Sequence, residues 1–140
     1  MAQVLPVLVA AELARAGSGY GIRHLVLEHP ELHLHSAVHA LLAERLCRVA
    51  AEDNPPRMLI ETHSENFLLG VQLQIVRGLL PPDRVMIYWV RQLDDGRSRV
   101  TPVTFDEDGR PQAGWPPDVF SADLDLTREL IRARRERQSS

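Results

Sequence analysis

The chemistry this chain could perform is concentrated in two short stretches. In "RHLVLEHPELHLH", residues 23–35, an apolar run stops on Glu28, and His29, Glu31, His33 and His35 follow at once. A carboxylate at the tip of a dry strand can hold Mg²⁺, usually through water, while the ion bridges phosphates. The second stretch, "LIETHSE", sets His63 at a strand tip just before a helix. An imidazole there can donate a hydrogen bond to a phosphate oxygen, and the helix N-terminus adds favourable partial charge. Each stretch also has a plainer reading, with Glu28 as a solvated strand end and His63 as a helix-capping histidine. The histidines admit a further one. His29/His33 and His35/His39 are each four apart, a spacing that would share a helix face as zinc ligands often do. Pro30 sets the first pair outside a helix interior, which weakens that reading.

Positioning these residues requires elements that the pattern supplies. Gln3 to Ala16 is rich in helix formers and ends at the loop signal "GSGYG". "IRHLVL" reads as a short buried strand. From Ser36 to about Ala51, Val38, Leu41, Leu42, Leu46, Val49 and Ala50 make one helical face, with Ser36 as the N-cap. "RMLIET" is a second buried strand, and Ser64 opens a helix carrying Leu68, Val71, Ile75 and Leu79 on one side. "RVMIYWV" is a third strand. This rhythm predicts a parallel sheet with right-handed crossovers, and ligands of such sheets bind beyond the carboxyl ends of the strands. One intervening helix would bring Glu28 and His63 to the same edge.

After Val90 the character changes. "RQLDDGRSRVTPVTF" reads as a strand, a turn at Asp95-Gly96 and a returning strand. "DEDGRPQAGWPPD" is a loop, and residues 121–137 read as a polar, basic helix. The expected fold is an α/β core over residues 1–82 with a small β appendage and C-terminal helix over 83–140.

Composition narrows the class. A chain of 140 residues suits one domain with a real core. With 44% apolar and 25% charged residues it is ordinary for a globular protein, and a net charge of −3 exerts no general pull toward nucleic acid. The single cysteine, Cys47, rules out an internal disulfide framework, reads as a buried inert thiol, and suits a reducing cytoplasm. No apolar stretch approaches the roughly 20 residues that span a bilayer. "VLPVLVAA" lacks the charged start of a signal peptide.

In this order, "QVLPVLVAAELA", "LVLEHPELHLH", "MLIETHSENFLL" and "VMIYWV" resemble the C-terminal half of an ABC-type ATPase. The similarity points to the AAA ATPases of the overcoming-lysogenization-defect and SMC-like group, often associated with phage defence. "FDEDGRPQAGWP" and "FSADL" resemble a small C-terminal domain appended to one branch of that group. The resemblance implies a partial P-loop NTPase fold with ATP and Mg²⁺ as ligands. Glu28 would be the Walker B carboxylate associated with Mg²⁺, and His29 would occupy the position of the glutamate that polarises the attacking water. "PELHLH" would be the D-loop facing an opposing subunit, shaped by His33 and His35, with His39 an ordinary surface residue of the next helix. His63 would be the switch histidine that senses the γ-phosphate. Gln3 would be the last residue of the signature motif.

Two departures bear on activity. No G-x-x-x-x-G-K-[ST] loop occurs in the 140 residues, and without its backbone donors and lysine most of the affinity for ATP is missing. A histidine at position 29 lacks the charge and geometry of a glutamate. The expectation is therefore a chain that does not hydrolyse ATP alone and that works with a P-loop-bearing half or a homologous subunit. The contrasting expectation is a non-catalytic interaction module built on the same fold. In it the histidine-rich loop, or the arginines of "TRELIRARRERQ", would meet a protein or nucleic acid.

Overall fold

The computed structural model describes residues 4–16, 24–116 and 119–120. Gln3, the "GSGYG" loop and the expected basic helix at 121–137 lie outside the described residues. The elements are α1 (Val4–Arg15), β1 (His24–Glu28), α2 (Ser36–Ala50), β2 (Arg57–Glu61), α3 (Glu65–Val76), a 3₁₀ turn (Pro82–Arg84), β3 (Ile87–Gln92) and β4 (Ser98–Val103). Together they make a mixed α/β arrangement with a two-stranded parallel sheet and a separate antiparallel hairpin.

β1 and β2 pair in parallel, with His24 level with Arg57 and Glu28 level with Glu61. Successive side chains of a strand point to opposite faces. Leu25, Leu27, Met58 and Ile60 accordingly join a core with Ala11, Leu42, Ala43, Leu46, Val49 and Phe67. The alternate positions, Val26 and Leu59, are each 65% exposed. Strands expected to be buried on both faces are thus covered on one. An unbroken apolar run predicts two-sided burial only when helices pack against both faces of the sheet.

α2 begins at Ser36, so its cap lies one residue earlier than expected. His35, rather than Ser36, is the N-cap, and its Nδ1 accepts from the Ala37 N–H at 3.2 Å. The cap of α3 is Ser64 as expected, its Oγ accepting from the Phe67 N–H at 3.1 Å. The two helices meet at Gly70, where an added Cβ would come within 2.9 Å of both Ala40 Cα and Ala43 Cβ.

The third strand departs from the expected parallel sheet. β3 pairs antiparallel with β4, from Ile87 opposite Val103 to Gln92 opposite Ser98. The reason is local. Gly96 takes φ 82°, and Asp95 accepts from the Arg97 backbone N–H at 3.0 Å, closing a turn that returns the chain beside β3. Short loops close at small entropic cost, which favours the hairpin; among the described residues the other edge of β3 makes no ladder with β1 or β2. The Asp95 carboxyl is held below its usual range by hydrogen bonding to the Arg97 side chain and then its backbone.

A second core cluster links the later segment to the helices. Cys47 of α2, Ile75 of α3, Leu80 and Phe105 are buried together, with Trp115 packed against them. The Gly109 carbonyl accepts from Gln72 Nε2 at 2.8 Å. At φ 71° and with a hypothetical Cβ 2.6 Å from Val76 Cγ2, position 109 favours glycine, and any side chain there would be strained. Burial, followed by the neighbouring Glu44 charge, pushes the Cys47 thiol up to about 12, in line with the inert thiol read from the sequence.

Candidate functional site

The carboxyl ends of β1 and β2 form the rim that the topology requires, because the strands run parallel as neighbours. Glu28 ends β1 and is exposed. In-register parallel partners project to the same face, so Glu28 and Glu61 lie on the side of Val26 and Leu59. Beyond Glu28 the pairing continues for one more bond, from the His29 N–H to the Glu61 carbonyl at 2.9 Å. There the chain turns sharply, with His29 at φ 44° and His33 at φ 67°. Both values lie in the left-handed region that costs energy for residues other than glycine. Bonds from Leu32 N–H to the His29 carbonyl and from Leu34 N–H to the Glu31 carbonyl, each 2.9 Å, hold the turn.

The turn returns His29 over the start of α3. Its ring stacks on His63 with centroids 4.8 Å apart and planes 24° from parallel. His29 Nε2 lies 3.8 Å from Glu61 Oε1. Glu61, His63 and half-buried His29 thus converge at one point of the rim. A shallow depression of about 380 Å³ opens beside them, lined by His29, Glu31, His33, His39, His63 and Ser64 together with Leu32 and Leu34.

Glu31 holds the two strand ends together. It is only 7% exposed, and its Oε1 accepts from the Thr62 hydroxyl at 2.6 Å and from the His63 backbone N–H at 3.2 Å. Among the described residues its Oε2 has no hydrogen-bond partner. The Ser64 N–H in turn donates to Thr62 Oγ1 at 3.0 Å. Glu31 therefore fixes where the backbone of His63 sits, which makes it a positioning residue.

His39 is more than the surface residue expected for it. Its Nε2 lies 3.2 Å from the Leu34 carbonyl and its Nδ1 2.7 Å from Ser64 Oγ. A carbonyl only accepts, so Nε2 carries hydrogen, and in the neutral ring Nδ1 accepts from the Ser64 hydroxyl. The arrangement clamps the turn, α2 and α3 together. Ser64 Oγ also accepts the Phe67 N–H, so the same hydroxyl caps α3 while it meets the His39 ring.

The sequence-derived residues thus divide. Glu28, His29 and His63 all reach one rim, and His29 touches His63 directly. The spaced pairs His29/His33 and His35/His39 do not form a cluster: His35 caps α2, and His39 is engaged with Leu34 and Ser64. The anchoring role of Glu31, the place of Glu61 beside His29 and the role of His39 were not read from the sequence. The available signals were an acid following Pro30 and an acid level with Glu28 in the parallel register. Among the described residues no helix is long and apolar enough to cross a membrane. No protein-family model, curated protein or solved structure matches this chain.

Proposed function

We propose that this rim is the magnesium-facing side of an ATP site of the ABC/AAA type, whose phosphate cradle is supplied from outside these 140 residues, by a partner or by an N-terminal half. One observation carries the reading: the parallel register that sets Glu28 level with Glu61, so that the tip of β1 and the Thr62–Ser64 entry to α3 share an edge. Glu28 is exposed there, as a carboxylate reaching Mg²⁺ through water must be. His63 stands just before α3, where partial positive charge favours phosphate oxygens. These residues suit the metal side of a triphosphate. The phosphate side has no counterpart in the chain, since no P-loop sequence is present. His29, in place of a glutamate, supplies no carboxylate to polarise water, so the isolated chain should not turn over ATP.

The cradle would come from a P-loop-bearing half or a homologous ATPase subunit. Val26 and Leu59 on the open sheet face, with Leu5, Val9 and Leu13 along one side of α1, are exposed apolar surface that such a partner could cover. The same surface favours a second reading, a non-catalytic module that uses the fold to bind another protein.

Amide chemical shifts of the whole chain titrated with millimolar ATP, with and without Mg²⁺, test the choice. The nucleotide reading expects Mg²⁺-dependent shifts at Glu28–His29 and His63–Ser64, reduced by Glu28→Gln and His63→Ala. Shifts indifferent to Mg²⁺ and to both substitutions, or none at the rim, would sink it and leave the binding module.

A further inference from the structure

We infer that His29, Glu61 and His63 form a binding site for a divalent transition-metal ion, with Zn²⁺ the ion their chemistry suits best. The inference does not rest on the nucleotide reading and uses a different carboxylate, Glu61 rather than Glu28. One donor atom from each residue lies within 4.8 Å of the other two, and His29 Nε2 is already 3.8 Å from Glu61 Oε1. Zinc bonds of about 2.0–2.2 Å in a tetrahedron set neighbouring donors about 3.3–3.5 Å apart. Glu61 and His63 are exposed, so rotation of their side chains can supply the remaining approach.

The backbones beneath the three donors are pinned. The His29 N–H is bonded to the Glu61 carbonyl, and the His63 N–H to buried Glu31. The left-handed φ of 44° at His29 is what brings its ring over His63. A non-glycine residue held in that conformation is a strain that surrounding structure must support, and such strain gathers at functional sites.

Two imidazoles and one carboxylate form a borderline donor set that suits zinc, copper, nickel and cobalt, whereas Mg²⁺ demands oxygen. Three protein ligands leave a tetrahedral ion one position for water or an anion. The adjoining depression, about 380 Å³ and walled by His29 and His63, gives that fourth ligand room.

The test is calorimetric titration of the untagged, nucleotide-free chain with Zn²⁺, repeated with Co²⁺ while visible absorption is followed. One equivalent should bind, and Co²⁺ should develop the intense bands of a tetrahedral site. His29→Asn, which tolerates the left-handed backbone, and His63→Gln should each weaken binding by more than about 100-fold, because losing even a supporting partner of a ligand costs about 10–100-fold. Glu61→Gln, a change at an exposed side chain, provides a third variant whose fold circular dichroism can verify. His24→Gln and His33→Asn should leave the affinity unchanged. Absence of binding, binding that survives loss of His29 and His63 together, or binding lost with His33 would each overturn the assignment.

Discussion

Gly70 offers the sharpest trial of the helix packing that carries the rim. It lies within α3, and an alanine there would ordinarily stabilise the helix by about 1 kcal/mol. Here the new Cβ would sit 2.9 Å from Ala40 Cα, 2.9 Å from Ala43 Cβ and 3.2 Å from the Ala40 carbonyl oxygen. Carbon atoms rest about 3.5–4.0 Å apart, so α2 and α3 would have to separate by about 0.6–1.1 Å. Overpacking of this kind costs about 1–3 kcal/mol, and two of the three obstructing atoms are backbone, which cannot rotate away. The upper part of that range, less the helix gain, leaves a net loss of about 1–2 kcal/mol. Urea unfolding followed by circular dichroism would measure it. Adding Ala43→Gly removes one obstruction but leaves Ala40 in place, so in that background Gly70→Ala should cost less than in the parent without becoming a gain. Spreading the helices should also weaken the 2.7 Å contact between His39 and Ser64, visible as a changed His39 ring resonance. A Gly70→Ala chain more stable than the parent would refute the close approach.

Two further outcomes follow from buried groups. Glu31→Ala strands the Thr62 hydroxyl and the His63 N–H and should cost about 2–3 kcal/mol in denaturant melts, whereas Glu31→Gln keeps an acceptor and should cost under about 1 kcal/mol; equal losses would remove Glu31 from its role as anchor. Cys47, with its thiol pushed up to about 12, should label with a thiol reagent at pH 8 far more slowly in the native chain than in urea, and equal rates would contradict its burial between α2 and the second core cluster.

Much of the local structure was legible because it depends on near neighbours. The apolar runs ending at Glu28 and Glu61, the Ser64 cap and the Asp95-Gly96 turn are each set within a few residues, by strand and helix periodicity, by a hydroxyl three residues from an orphan N–H, and by a glycine at positive φ. Placing Glu28 and His63 on a shared edge needed only the rule that strands joined by one helix run parallel. The one-sided burial of β1 was not legible, because an apolar residue carries no mark of whether a layer exists to cover it. Nor was the separation of β3 from the parallel sheet, because the rhythm of strands and helices along the chain does not fix which strand edges meet.

The site itself belongs mostly to tertiary structure. Glu31 meets Thr62 across 31 positions, and His39 meets Ser64 across 25. His29 reaches Glu61 and His63 only because α2 intervenes and β2 returns beside β1. Spacing along the chain pointed instead to histidines four apart, which the turn at Pro30 and the cap at His35 send to separate tasks. That carboxylates and imidazoles are present, and that two strand tips carry them, could be read from the residues alone. Only the crossover of β1, α2 and β2 decided which ones touch, since the distance between residues in space is set by the packing of whole elements and not by their separation along the chain.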